Sequence, residues 1–420
     1  MHPQKKKAIY IPVRGEVRGV DVHDYLPIID HPHFQRLRGV KQLGQVSLIY
    51  PAAVHNRFTH SIGTLQELIW RLEAWQGQFD EYECQLLKIF ALTHDIGHPA
   101  FSHATERVVS RDHKEIALVF LKEMKEQIER CNIKFEDLVE LFNKMNPIQA
   151  VVGNHPMGVD KFDYLDRDSR ATNMDQPNLS SLDGHVFWLD DRLVIDDSHD
   201  IVRKTQRYRE LYISSYGECY LRKGAAAAQR VIEKMWGFLL DKEVTIDQAI
   251  RSTDDIAFSW FLNSEIQECR DLAEKYRSRT LPKAVVVFRM PGCKNDEPIR
   301  DKSIRVFEAS REMFQSWEKE HNSAEGLTLL EAQLEELLEL DAGSIIIAPQ
   351  FHAYRYSERP IWLKRNGMFC EIDELYRTES LPAKELGRRY TAWRICVMNK
   401  EDRQKVCNKA DLIREFLMDS

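Results

Sequence analysis

At 420 residues, 43% apolar and 30% charged, the chain is long enough for a large core plus a smaller lobe and has an ordinary soluble-globular composition. A net charge of −7 gives no overall pull toward nucleic acid or an anionic membrane, no run of 18 apolar residues is present, and Met1–Lys7 lacks the apolar segment of a signal peptide. The cysteines, Cys84, Cys131, Cys219, Cys269, Cys293, Cys370, Cys396 and Cys407, form no CxxC pair, which argues against a zinc ribbon or a dithiol redox centre and for reduced thiols in the cytoplasm.

In chain order, residues 8–20 read as a short extended arm: Ile9, Ile11 and Val13 alternate, and Pro12 and Gly15 break any helix. From Asp30 to Thr280 the pattern is mostly helical. Leu65, Leu68, Ile69 and Leu72 form an apolar stripe at helical spacing, and Leu86, Leu87, Phe90 and Ala91 build a second face on a helix expected to end near Gly97 and Pro99. Gly224 to Ala228 opens a further helix. Beyond Leu281 the character changes. Residues 284–288, 344–348 and 390–398 read as strands, Leu327–Leu340 as an acidic amphipathic helix, and 292–298 as an exposed loop. The expected protein is mostly α, with a helical core over 1–280 and a smaller α/β lobe over 281–420.

The chemistry concentrates in Thr93-His94-Asp95-Ile96-Gly97-His98. Adjacent His94 and Asp95 offer a nitrogen and an oxygen to one point in space, and a further His60 and Asp160 complete a mixed N/O set. Such a set suits Fe, Zn, Mn or Ni, each able to make water nucleophilic near neutral pH. A lone His-Asp pair is more often a solvated helix end. Here it closes an apolar helix and is followed by His98, His103 and His113, groups fit for acid–base work, with Glu106 placed to orient His103 and Glu115 near His113. On a helix, Asp160, Tyr164, Arg167 and Asp168 share one polar face.

Together these residues resemble the HD-domain deoxynucleoside triphosphate triphosphohydrolases, specifically the SAM-and-HD-domain branch and its bacterial relatives, with the dGTPases further off. The likeness runs through Ile28 to Arg38, Lys41-Gln42-Leu43-Gly44, His55 to Gly63, His94 to His103, Val159 to Tyr164, and Arg167-Asp168. It is strong over Pro12–Asp168 and faint in Trp362–Phe416, and the arm ahead of it is too short for a SAM domain.

The resemblance implies an HD helical core with His60, His94, Asp95 and Asp160 as metal ligands. It implies attack of metal-activated water on the α-phosphorus of a dNTP, giving a deoxynucleoside and intact triphosphate. His98, His103 and His113 then match the catalytic and phosphate-contacting histidines, with His103 as leaving-group acid. Arg57 and Lys161 match phosphate-binding cations, with Mg²⁺ accompanying the phosphates. Gln42, Leu43, Tyr164 and Asp168 match the sugar-holding positions. Asp30, Gln35 and Arg38 match the guanine-reading residues of an activator-nucleotide site between subunits, with Arg277 and Lys7 as outlying contacts. A homo-oligomer follows, a tetramer before a hexamer, with no membrane or nucleic-acid partner. A nucleotidase, a phosphodiesterase or a non-catalytic nucleotide sensor are the other readings. Two departures stand out: Pro99-Ala100 replaces the family's Gly-Pro step, and Lys114 separates His113 from Glu115.

Overall fold

The side chain of Asn56 starts the helix on which the body is built. Its Oδ1 accepts from the Thr59 N–H at 3.0 Å and caps Arg57–Ala74. Ile62, Leu65 and Leu68 on that helix are buried, and it packs against Glu81–Thr93 and Val159–Thr172. Each such side chain contributes roughly 1.5–3 kcal/mol by leaving water. Glu81–Thr93 opens on a reciprocal capping box between Asp80 and Glu83. Among the residues described by this computed structural model (7–176, 178–292, 304–321, 323–350, 360–381, 386 and 391–419), the chain is mostly α.

The second helix ends at Thr93, short of the expected stop near Gly97 and Pro99. The Ile96 N–H turns back to the Thr93 carbonyl, and the His98 N–H to the Asp95 carbonyl. Residues 94–98 thereby form a tight turn that brings His94 and Asp95 to the same side, where a continuing helix would splay them by about 100°. The N-terminal arm is a hairpin, Ala8–Val13 (β1) against Glu16–Asp21 (β2). Arg14 and Gly15 both take positive φ at its turn, 49° and 81°, as a two-residue hairpin turn requires. Arg14 then reaches Glu67 on the first helix and Asp183, pinning the hairpin to the body.

Strands Val186–Leu189 (β3) and Arg192–Ile195 (β4) form a second hairpin that buries Val186, Trp188, Leu193 and Ile195 in the core of the body. The expected helix from Gly224 spans Lys223–Leu239. The lobe holds Lys283–Arg289 (β5), Arg305–Glu308 (β6), Ile345–Gln350 (β7), Trp362–Arg365 (β8), Met368–Glu371 (β9) and Ala392–Val397 (β10). One sheet has the order β6-β5-β10-β7, with β10 antiparallel to both neighbours. The acidic helix, Ala324–Leu338, packs Leu327, Leu330 and Leu334 over it with Val286, Ile347 and Trp393. Tyr390 and the expected loop from Cys293 to Pro298 lie outside the described residues.

Strand pairing crosses the expected boundary at residue 280. β8 pairs in parallel with β4, giving a sheet β3-β4-β8-β9, because Ile361, Leu363 and Ile372 bury their side chains in the core of the body. Helix Lys223–Leu239 joins the two parts from the other side. Its buried Arg230 donates to Glu331 at 3.1 Å, and Glu331 also accepts from the Ile347 N–H at 2.8 Å. Among the described residues, no helix is long and apolar enough to cross a membrane.

Candidate active site and metal centre

Three neighbouring helices place the four expected ligands: His60 in the first turns of Arg57–Ala74, His94 and Asp95 at the turn closing Glu81–Thr93, and Asp160 in the first turn of Val159–Thr172. The Nε2 atoms of His60 and His94 lie 3.3 Å apart. Asp160 Oδ1 is 3.2 Å from the first and 3.4 Å from the second, and Asp95 oxygens are 3.5 Å from each. Such separations suit donors whose bonds to one transition ion are about 2.0–2.2 Å long.

The outer contacts prepare both rings. His94 Nδ1 is 2.8 Å from the Ala91 carbonyl, which can only accept, so Nδ1 carries the proton and Nε2 presents a lone pair. His60 Nδ1 is likewise 2.8 Å from Asp163 Oδ2. Burial opposes charge on His60, yet the hydrogen bonds it donates to Asp160 and Asp163 hold it up to about 10. Burial opposes charge on Asp95 too, and His94 and Arg57 hold it well below the carboxylate range; His60 and His94 do the same for Asp160. The protein alone thus favours positive charge where the two Nε2 atoms converge. His60, His94 and Asp95 each offer a ligand atom within 4.8 Å of one another, and Asp160 Oδ1 lies beside both rings. These donors suit a divalent transition ion, and their chemistry does not select among Fe, Zn, Mn and Ni.

Beside this centre, one carboxylate serves three histidines. Glu106 lies 2.8 Å from His98 Nδ1, 3.2 Å from His103 Nδ1 and 3.3 Å from His113 Nδ1. The partner of His113 is therefore Glu106, while Glu115 is exposed. His98 and His113 stack with ring centroids 4.0 Å apart. Gly97 permits this approach, since a Cβ there would stand 1.9 Å from the His113 carbonyl oxygen. Burial, with Arg57 and His113 nearby, pushes His98 down to about 4. Glu106 raises His103, whose side chain is 67% exposed.

These groups line a cavity of about 730 Å³, a volume typical of small-molecule sites. Arg57, buried, donates to Ser102 Oγ at 3.0 Å and pairs with Asp95. Phe101 and Ser102 both adopt positive φ, 56° and 48°, a strained loop held against the site. Gln42, Leu43, Lys161, Tyr164 and Asp168 line the same cavity. Gln42 Oε1 is buried there without a hydrogen-bond partner. Lys161 Nζ is 3.9 Å from Asp160 Oδ2, and the Tyr164 ring stands edge-on to His60 at 6.2 Å. Asp168 is held by His55 Nε2 at 2.7 Å and by the Tyr220 hydroxyl at 2.6 Å. Tyr220 ends a π-helical segment, Ser215–Tyr220, that continues the helix His199–Ser214.

The five expected activator contacts lie away from this cavity. Asp30 is exposed at the C-terminal end of the short helix Leu26–Ile29. Gln35 accepts from Arg38 Nε at 2.8 Å and donates to the Ile29 carbonyl at 2.7 Å. Arg277 is exposed and paired with Glu274, and Lys7 is an exposed residue whose carbonyl accepts from the Val22 N–H. Three residues of the site did not stand out in the sequence: Asp163 behind His60, Ser102 behind Arg57, and His55 behind Asp168. A ligating histidine needs an acceptor for its second nitrogen, so an acidic residue near Asp160 was the available signal for Asp163.

Residues 57–178, which contain all four ligands, match the HD domain family. The chain is similar to the deoxynucleoside triphosphate triphosphohydrolase SAMHD1 homolog of Dictyostelium discoideum, 35% identical over 176 residues, which are 36% of this chain and 34% of that protein. Against human deoxynucleoside triphosphate triphosphohydrolase SAMHD1 it is 39% identical over 109 residues, 24% of this chain and 17% of that protein. The chain thus spans about a third or less of the length of these relatives. The fold is shared with the crystal structure of a phosphohydrolase from Bacteroides thetaiotaomicron, at a TM-score of 0.66 and 20% identity over 94% of this chain and 100% of that one.

Proposed function

We propose that this protein is a deoxynucleoside triphosphate triphosphohydrolase that converts dNTP and water to a deoxynucleoside and inorganic triphosphate. One observation carries the reading. A single cavity is lined by ligands of the metal set, the cations Arg57 and Lys161, the Glu106-bound histidines, and Gln42, Leu43, Tyr164 and Asp168. The names of the Dictyostelium and human relatives support the same substrate class.

His60, His94, Asp95 and Asp160 would hold a divalent ion, which would supply a polarised water and Lewis-acid stabilisation of the phosphoryl oxygens. The chain's own groups do the rest. Arg57 and Lys161 hold the phosphates, a fork and a point charge suited to a polyanion accompanied by Mg²⁺. Oxygen from water bonds to the α-phosphorus and releases its proton to solvent as the bond from phosphorus to the 5′-oxygen breaks. The 5′-oxygen keeps that electron pair and takes a proton from His103, which Glu106 keeps protonated and which is open to the cavity. His98 stays neutral, and His113 and His98 are fixed by Glu106 beside the phosphates. The buried, unpartnered Gln42 Oε1 and the fixed Asp168 suit the sugar hydroxyl.

In this reading the protein works in the cytoplasm as a tetramer or hexamer, prefers dGTP or is activated by a nucleotide at Asp30, Gln35 and Arg38, and serves dNTP-pool control or defence against phage. The test is to incubate purified protein with each dNTP and NTP, singly and in pairs, with Mg²⁺ or Mn²⁺. Tripolyphosphate plus deoxynucleoside is expected. Monophosphate plus pyrophosphate would indicate another phosphohydrolase, and binding without turnover a sensor.

A further inference from the structure

Two lysines of the cavity have no task in the reaction above. Lys114 follows His113 at the start of the helix His113–Glu123, and Lys144 follows the helix Phe135–Phe142; both line the cavity together with Lys161. Lys144 sits at a φ of 59°, a left-handed conformation that lysine rarely adopts. Neither side chain forms an ion pair among the described residues. The nearby Asp112 is committed to capping, its Oδ1 accepting from the Lys114 and Glu115 N–H groups at 2.9 Å. Burial and the facing Lys144 push the Lys114 ammonium below its ordinary range, and Lys161 acts in the same sense.

Like charges gathered in a half-buried pocket repel one another, and an anion of several charges relieves that repulsion. The three lysines line one cavity with His94, Asp95 and Asp160, and Lys161 stands 3.9 Å from the Asp160 carboxylate. With an α-phosphorus beside those expected ligands, the remaining lysines are suited to phosphates farther along the chain.

We propose that Lys114 and Lys144 form a seat for the terminal phosphate of the nucleotide and set the polyphosphate length that the site accepts. The inference rests on the triphosphohydrolase reading for its biological ligand, but the seat can be probed with inorganic tripolyphosphate alone.

The test uses the full chain loaded with Mn²⁺ and calorimetric titration with tripolyphosphate and, separately, orthophosphate at fixed ionic strength. Lys114→Met and Lys144→Met are each expected to weaken tripolyphosphate binding about tenfold and orthophosphate binding less than about twofold, the scale of one lost charge-assisted contact. Lys114→Arg and Lys144→Arg should recover most of the loss. In steady-state assays KM for dNTP should rise in the Met variants more than kcat falls. Wild-type protein that binds no tripolyphosphate, variants that bind it as wild type does, or equal losses for both anions would each overturn the seat. Wild-type protein that binds tripolyphosphate through these lysines but turns over no dNTP would remove the functional reading and leave the seat standing.

Discussion

His60 Nδ1 stands 2.8 Å from Asp163 Oδ2, and Arg167 grips the same carboxylate, with Nη2 2.7 Å from Oδ1 and Nε 3.0 Å from Oδ2. Arg167 fixes Asp163, Asp163 fixes the ring, and the ring aims Nε2 at His94 and Asp160. Asp163→Ala should therefore lower divalent-metal affinity by about 10–100-fold, the usual effect of losing such a support. A competition titration with Mn²⁺ against a chelating dye measures it. Wild-type affinity in the variant would show that packing alone orients His60.

Gly63 makes room for that support. A Cβ at this position would lie 2.0 Å from Asp163 Oδ1 and 2.5 Å from Arg167 Nη2. The site is buried between two packed helices, so the clash cannot be relieved without moving the pair. Gly63→Ala should cost about 1–3 kcal/mol, as overpacking does, and reduce bound metal as well. Thermal unfolding and metal content measured on the same preparation check both effects. A variant with normal stability and full metal content would contradict this account.

Glu106 gives the reaction its expected alkaline limit. A leaving-group acid works in its protonated form, below its pKa. Glu106, by its charge and hydrogen bond, raises His103 above the ordinary imidazole value. Glu106→Gln removes the charge, so the pKa of His103 falls and the alkaline limb of the kcat profile should move to lower pH. His98, held down at about 4, stays neutral across that range and leaves the limb to His103. A pH profile unchanged in Glu106→Gln would assign the limb to another group.

Much of this site was legible because its chemistry is written in residue types. His94 beside Asp95 is an unusual adjacency for the end of an apolar helix, and the Leu65–Leu72 and Leu86–Ala91 stripes located the helices that carry the ligands. Contacts set by tertiary packing were not legible. Nothing in the spacing of His98, His103 and His113 says that a single Glu106 serves all three. The helix stops at Thr93 although no glycine or proline stands at 94 or 95, and the close approach of Gly97 to the His113 carbonyl just beyond it is a tertiary contact that no local spacing announces. β8 and β9 are four residues each, and β4, which β8 pairs with, lies far away along the chain, so no local pattern announces the sheet they share.

Gln35 offers the most direct test of regulation. Its amide bridges the Ile29 carbonyl and Arg38 Nε, and the Arg38 guanidinium lies 3.7 Å from the centroid of the Phe58 ring. Phe58 is buried on the helix that also carries His60, two residues before it. A nucleotide that drew Gln35 and Arg38 outward would alter contacts on the helix that carries His60, which would give the proposed activator site a physical route to the proposed metal centre. Gln35→Ala removes the bridge and keeps Phe58, His60 and the cavity. Metal content should stay at the wild-type value, and the activator concentration for half-maximal rate should rise about tenfold, a coupling change near 1.4 kcal/mol. Initial rates across an activator titration at saturating substrate measure this. An activation curve that superimposes on wild type would place regulation elsewhere, and a loss of metal together with activation would show that Gln35 supports the helix and does not read a nucleotide.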